Sequence, residues 1–341
     1  MPENVNRRVV LAARPSGLPK LSDFRLEEAP IPQPQEGEVL LRVQYLSLDP
    51  YMRGRMDDRK SYSKPTALGD AMEGGTVAVV LESRHADFKP GDTVLSHSGW
   101  QSHAVAKPAE LRKLDPKAAP VTTALGVLGM PGFTAYAGLL TIGQPKAGET
   151  VVVAAASGPV GSAVGQIAKL KGARAIGIAG GAEKCAFVLN ELSFDAALDH
   201  RAADFPAQLA KVCHKGIDVY FENVGGHVWD AVFPLLNDFS RIPVCGLIAQ
   251  YNDGDAFPGP DRFPVVMRQV LAKRLNIRGF IQRDFPEQRP AFYKEMAQWI
   301  REGRVKYRED IVDGLENAPE AFIGLLQGKN FGKLVVRVDA A

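Results

Sequence analysis

From residue 151 onward the chain alternates between two hydrophobic periods. Short apolar runs such as Val151-Val152-Val153 are followed by stretches such as Val160, Val164, Ile167 and Ala168, where apolar residues recur every three or four positions. Runs of the first kind suit strands buried on both faces, and the second spacing suits helices that bury one side. The pattern predicts strands at 151–155, 175–179, 196–199, 217–221, 242–247 and 277–281. Between them it predicts helices at 161–171, 183–192, 205–213, 228–236 and 262–274, with Gly172 as the stop of the first. Six strands in this cadence describe an α/β domain with a doubly wound parallel sheet. A further helix at 290–302 precedes a closing strand at 332–338.

The preceding residues have a different texture. Apolar runs at 39–43, 76–80 and 93–95 are cut by turn chemistry such as Ile31-Pro32-Gln33-Pro34, Gly74-Gly75 and Lys89-Pro90-Gly91-Asp92. That half reads as a mainly β, barrel-like domain, and the style changes near Gly129-Met130-Pro131-Gly132. The expected division is 1–124 with 285–341 as one domain, and 125–284 as the other.

Composition narrows the function classes. Forty-one basic residues against 39 acidic ones leave a net charge of +2, too little for the basic stripe of a nucleic-acid partner. No apolar run approaches the ~20 residues that span a bilayer, and Met1-Pro2-Glu3-Asn4 opens no signal-peptide core. A cytoplasmic protein is therefore expected. Cys185, Cys213 and Cys245 are too few and too scattered for a disulfide framework or a structural zinc, and read as free thiols.

The first strand of the α/β domain runs into Ala156-Ser157-Gly158-Pro159-Val160-Gly161 and then a helix. Glycine at 158 lets a backbone approach a pyrophosphate, and glycine at 161 lets helix and strand pack closely. The helix start supplies N–H groups for the anion. Ala156 stands where the strict glycine pattern begins, so the strand-turn-helix context carries the dinucleotide reading. A tight turn without a ligand is the alternative. NAD-binding folds present an acid at the tip of the second strand, whereas NADP-binding ones present cations to a 2′-phosphate. Here the segment reads Ile178-Ala179-Gly180-Gly181-Ala182-Glu183-Lys184, with no acid on the strand itself. Lys184 reaching back over Gly180, helped by His200 or Arg201, favours NADP(H). Glu183 as a displaced acid, with Lys184 merely solvated, is the other reading.

Five segments carry a family resemblance: residues 48–55 (Leu48-Asp49-Pro50-Tyr51-Met52-Arg53-Gly54-Arg55), 129–136 (Gly129 to Tyr136), 222–226 (Glu222-Asn223-Val224-Gly225-Gly226), 245–252 (Cys245 to Asn252) and 328–333 (Gly328 to Lys333). The whole chain resembles the zinc-independent branch of the medium-chain dehydrogenase/reductase superfamily. Within it, the leukotriene/prostaglandin reductase group, which includes bacterial NADPH-dependent curcumin reductases, is the match. The resemblance implies a Rossmann domain joined to a GroES-like domain, and often a homodimer. It implies cofactor contacts at Gly158, Pro159, Val160, Gly161, Lys184, Asn223, Cys245, Gly246, Leu247, Ile248, Tyr251, Phe280, Ile281, Gln282 and Asn330. His200 stands where many relatives have Tyr, and its imidazole can still donate to a phosphate. Met130 and Thr134 are candidates to flank the nicotinamide, with a core role for Met130 as the alternative.

Zinc-dependent members place an early Cys and a Gly-His-Glu segment. This chain has Met72 in Gly69-Asp70-Ala71-Met72-Glu73, and no Cys before Cys185, so no metal site is expected. Without a Lewis acid, hydride transfer is easiest to a carbon activated by conjugation, leaving an enolate that hydrogen-bond donors stabilise. The resemblance suggests Tyr251 as the residue that orients the cofactor's ribose 2′-hydroxyl toward that oxygen, with a loop anchor ahead of Asn252-Asp253-Gly254 as the alternative. Tyr51 and Tyr62 are further catalytic candidates, or packing residues. The expected activity is NADPH-dependent reduction of the double bond of an enone or enal. A quinone reductase, or an NADPH-binding structural protein without turnover, are the competing readings. The segment 251–264, rich in Gly, Pro and Asp, reads as a long loop after the fifth strand, either covering the site and setting substrate size or an ordinary surface excursion.

Overall fold

Val39–Ser47 carries a nearly continuous set of buried apolar residues, and the first of the chain's two units is built around it. The computed structural model describes residues 5–254 and 260–338. One unit comprises Met1–Gly126 and Glu309–Ala341, and the other Val127–Arg308.

The first unit contains β1 (Val5–Leu11), β2 (Phe24–Pro30), β3 (Val39–Ser47), the short helix α1 (Met52–Arg55), β4 (Thr76–Ser83), β5 (Thr93–Ser96), β6 (His103–Ala106) and β7 (Arg112–Lys113). The second holds α2 (Met130–Ala137), β8 (Thr150–Ala154), α3 (Pro159–Leu170), β9 (Arg174–Ala179), α4 (Ala182–Asn190), β10 (Ala196–Asp199), α5 (Phe205–Val212), β11 (Ile217–Phe221), α6 (Gly226–Val232), β12 (Leu236–Val244), α7 (Phe263–Lys273), β13 (Asn276–Gly279) and α8 (Arg289–Arg301). The chain then returns to the first unit with β14 (Glu309–Asp313), α9 (Ala318–Leu326) and β15 (Lys333–Arg337).

In the first unit, β1 and β2 make an antiparallel ribbon, while β3 pairs with β4, β6 and β15 in a larger, mostly antiparallel sheet. Met72 is fully buried in the apolar core of this unit with Leu46, Met52 and Trp100. In the second unit the six strands run parallel in the order β10-β9-β8-β11-β12-β13. The order reverses between β8 and β11, so the carboxyl ends of those two strands form the switch point where such sheets bind ligands.

Two expectations need correction. The return to the first unit comes at Glu309 rather than at 285, because α8 packs into the second unit's core. Phe292, Met296 and Trp299 lie on one face of α8, and the Phe292 ring sits 5.2 Å from Phe133 and 5.6 Å from Tyr136. Burying three such side chains stabilises by roughly 1.5–3 kcal/mol each. The fifth strand spans Leu236–Val244 rather than 242–247. Its first half is irregular, with Phe239 at φ 62° and a register shift against β11, so Asn237-Asp238-Phe239-Ser240 reads as a turn in the sequence.

Close packing around Phe194, where α3, β9 and α4 converge, depends on missing side chains. A side-chain carbon at Gly165 would stand 1.8 Å from Cζ of Phe194, and one at Gly177 would stand 2.7 Å from Cγ1 of Val188. The buried Gln166 ties the same helix to the chain beyond α8: its amide donates to Lys306 O at 2.9 Å and its carbonyl accepts from Lys306 N at 2.8 Å. Replacing Gly165 with Ala gains helix propensity of about 1 kcal/mol. Forcing a methyl against a buried ring costs about 1–3 kcal/mol. Because Phe194 is itself held against Gly177, the clash dominates. Gly165→Ala is expected to lower the urea midpoint, and adding Phe194→Leu should recover part of the loss. An unchanged midpoint for the single variant would show that the ring yields freely.

Candidate functional site

At the end of β8 the chain turns through Ala155 in the left-handed region, φ 54°. Ala156 N–H donates to Ile178 O at 2.9 Å, and Gly158 N–H donates to Ala155 O at 3.0 Å. A side-chain carbon at Gly161 would lie 2.3 Å from that carbonyl oxygen, so only glycine lets α3 start here. Pro159 occupies the first helical position, where its missing N–H costs nothing. Val160 and Gly161 follow at positions whose N–H groups have no intrahelical acceptor. A cradle of this shape fits a pyrophosphate.

The second cluster surrounds Gly180 and Gly181, between β9 and α4. A side-chain carbon at Gly180 would meet Nε2 of His200 and Nε of Arg201, each at 3.0 Å. Lys184 lies close enough for its charge to act on His200. Burial first, then His227, Arg201 and Lys184, hold the His200 imidazole below its usual range. Asp199, at the tip of β10, accepts from Gly181 N–H and Arg201 N–H, both at 2.9 Å. Those hydrogen bonds hold its carboxyl below the ordinary carboxylate range. The acid nearest the turn is thus engaged by backbone, and the groups facing Gly180 are cations and an imidazole. This donor set suits a phosphate.

A third cluster lies at the ends of β11 and β12. Asn223 donates through Nδ2 to Ala154 O at 2.8 Å, tying the ends of β11 and β8 together across the switch point. Glu222 Oε1 accepts from Gly225 N–H at 2.9 Å and from Val224 N–H at 2.6 Å, and burial raises its pKa above the usual value. Cys245 and Gly246 both donate N–H to Glu222 O, and Ile248 N–H donates to Asn223 O. Tyr251 folds back over this segment: its hydroxyl accepts from Leu247 N–H at 3.4 Å and would stand 2.9 Å from a side-chain carbon at Gly246. Burial pushes the Cys245 thiol up to about 12, so it remains a thiol.

The remaining cofactor candidates of this unit are more structural. The Phe280 ring packs on Gly138 and Phe221, so that residue offers only backbone. Ile281 N–H is taken by Asp284 Oδ2 at 3.0 Å, and Gln282 accepts from Arg289. Thr134 Oγ1 donates to Met130 O at 2.8 Å, one turn back on α2. The loop expected at 251–264 is described only in part, since 255–259 lie outside the described residues, and Phe263 already belongs to α7.

Tyr51, Tyr62 and Asn330 belong to the first unit. Asn330 Nδ2 donates to Gly332 O at 2.9 Å, shaping the turn into β15. The guanidinium of Arg55 lies 5.5 Å from the Tyr51 ring and 4.4 Å from the Tyr62 ring, and pairs with Glu73. Burial, with Asp49 and Glu73 adding to it, holds the Tyr51 hydroxyl well above its usual pKa, so it stays protonated. The sequence reading missed Arg55, Glu73, Asp199, Glu222 and His227. Asp199 is visible as an acid at a strand tip, but nothing in spacing brings His227 to His200. Among the described residues, no group of three or more His, Cys, Asp or Glu is arranged to hold a metal.

Residues 7–114 match the family model described as the N-terminal domain of oxidoreductase, and residues 159–302 match one described as zinc-binding dehydrogenase. The NADPH-dependent curcumin reductase of Escherichia coli (strain K12) is 59% identical over 334 residues, covering 98% of this chain and 97% of that protein. Prostaglandin reductase 1 of Bos taurus is 41% identical over 327 residues, covering 94% of this chain and 95% of that protein. The crystal structure of CurA in complex with NADPH from Vibrio vulnificus matches with a TM-score of 0.95 at 56% identity, covering 98% of this chain and 100% of that one. With likeness running the length of these relatives, the chain belongs to the medium-chain dehydrogenase/reductase superfamily, in its zinc-independent leukotriene/prostaglandin reductase group.

Proposed function

We propose that this chain uses NADPH to reduce the carbon-carbon double bond of α,β-unsaturated ketones and aldehydes. The observation that carries the reading is the Gly180–Gly181 turn faced by His200 and Arg201, with Lys184 near enough for its charge to act on His200. It occurs in a chain that matches, over nearly its whole length, relatives named as curcumin and prostaglandin reductases.

The residues divide the cofactor among them. The start of α3, Gly158 through Gly161, would hold the pyrophosphate, and the Gly180 cluster would hold the 2′-phosphate. Asn223, Cys245 through Ile248 and Tyr251 would take the nicotinamide ribose, with Met130 and Thr134 as proposed neighbours of the ring. Backbone of Phe280 through Gln282 and the Asn330 turn are the remaining proposed contacts. When bound, the nicotinamide supplies the hydride. Addition at the β-carbon of an enone leaves negative charge on the carbonyl oxygen, and the chain's role is to place donors there. Tyr251 is proposed to orient a ribose hydroxyl for this purpose. Tyr51, held protonated, and Tyr62 are proposed to donate to the substrate oxygen or to pack on an aromatic substrate.

We also propose a cytoplasmic homodimer. No helix among the described residues is long and apolar enough to cross a membrane, and all three cysteines are free. Every residue of β13 is exposed at the outer edge of its sheet. Beside it in sequence, α7 exposes Phe263, Val265, Met267 and Leu271 at 66%, 56%, 48% and 80%. An uncovered strand edge and apolar helix face are aggregation hazards unless something covers them, and a second copy is the proposed cover.

Three measurements follow. Lys184→Ala should raise the KM for NADPH about tenfold or more, the worth of one charge-assisted hydrogen bond, with a much smaller change for NADH; equal changes would remove the basis for the NADP(H) assignment. NADPH oxidation with a graded set of enones should yield the saturated ketone, and Tyr251→Phe should lower kcat/KM at least about tenfold. Hydroquinone from quinones, with no saturated ketone from any enone, would sink the proposed activity. Light scattering after gel filtration should report a dimer, and Leu271→Asp with Ile277→Lys should shift it toward monomer. A monomeric wild-type chain would end the homodimer proposal.

A further inference from the structure

His200 follows β10 and His227 is the second residue of α6, yet their rings meet. Nδ1 of His200 lies 3.0 Å from Nε2 of His227, with ring centroids 5.1 Å apart and planes inclined by 42°. The other nitrogen of His200 faces the turn, where it would stand 3.0 Å from a side-chain carbon at Gly180. In such a pair one nitrogen carries the proton and the other accepts it. If His227 donates, neutral His200 carries its own proton on Nε2, directed at Gly180. If His200 donates, its Nε2 presents a lone pair to the same place. An anion seated at the turn selects the first arrangement, because phosphate oxygens accept hydrogen bonds and repel a lone pair.

We propose that His227 is a positioning residue for the 2′-phosphate of NADP(H): it donates to Nδ1 of His200 and so keeps Nε2–H of His200 facing Gly180 and Gly181. The inference rests on the NADP(H) reading above and deepens it. His227 acts through His200, since the hydrogen bond at one ring nitrogen decides what the other can offer. The groups around the pair are Lys184 from α4, Arg201 and Asp199 from the end of β10, and His227 itself from α6. The carboxylate of Asp199 is turned to Gly181 N–H and Arg201 N–H, so the set facing the turn is cationic or neutral.

Burial, followed by the neighbouring His227, Arg201 and Lys184, favours neutral His200. Before an anion arrives, tautomer choice rather than charge therefore decides the function of Nε2. NADH has no 2′-phosphate and does not call on the orientation of the His200 ring.

Isothermal titration calorimetry of NADPH and NADH against the full chain, at several values between about pH 6.5 and 8.5, tests the inference. The comparison is wild type, His227→Phe and His227→Gln. His227→Phe should weaken NADPH about tenfold and NADH by less than about twofold. His227→Gln places an amide donor near Nδ1 and should restore NADPH affinity to within about threefold of wild type. Unchanged NADPH affinity in His227→Phe, or equal losses for both cofactors, would overturn the inference. If His227→Phe does not fold, His227→Leu should show the same selective loss, and unchanged NADPH affinity there would overturn it. Wild-type protein that binds the two cofactors equally would overturn it by removing the NADP(H) reading, and product identification with enones reports on the reaction separately.

Discussion

The first turn of α3 can start where it does because the carbonyl of Ala155 and position 161 come within a distance that no side chain tolerates. The left-handed alanine that makes this possible costs on the order of 1 kcal/mol. Hydrogen bonds from Gly158 to Ala155 and from Ala156 to Ile178 offset that cost. The result is a helix start whose N–H groups face outward at the point where strand order reverses. Asn223 then locks the neighbouring strand end to Ala154. No charged side chain stands in the turn from Ala155 through Gly161, so the pyrophosphate proposed to sit there would meet backbone dipoles held by steric fit.

Charge enters one strand away. An acid near the end of the second strand would ordinarily accept from a ribose hydroxyl. Here the strand tip itself, at Ala179, carries no acid, and the neighbouring acid, Asp199 at the end of β10, accepts two backbone N–H bonds on Oδ1 that depress its pKa. His200 and Arg201 stand against Gly180, with the charge of Lys184 acting on His200.

What could be read from the sequence follows from how local the cause was. Strands β8, β9, β10 and β11 and helix α3 declare themselves through runs and periods, and the turn at 156–161 declares itself through its glycines. The start of β12 was hidden because an irregular stretch with Phe239 in the left-handed region looks like a turn. The membership of α8 was hidden because it depends on Phe133 and Tyr136, more than a hundred residues away. In the candidate site, Lys184 and His200 are legible as a cation and an imidazole near strand tips. Arg55 between two tyrosines and His227 against His200 were not, since each depends on a meeting that only the folded chain creates.

Glu222 explains why two distant parts of the second unit's site share one support. Its carboxyl is buried and its pKa raised, yet Oε1 accepts from Val224 and Gly225 N–H. Those bonds shape a turn whose glycines, Gly225 and Gly226, have φ of 75° and 56°. Ala249, Leu247 and Gln250 approach them from the other side. The backbone oxygen of Glu222 meanwhile receives Cys245 and Gly246 N–H, which sets the segment beneath Tyr251. His227 leaves the same turn toward His200. Residue 222 therefore supports both places: its main-chain oxygen holds the segment proposed for the nicotinamide ribose, and its carboxyl shapes the turn that carries His227. A residue that strains this turn should move both, whereas one that alters only the His227 ring should move the second alone.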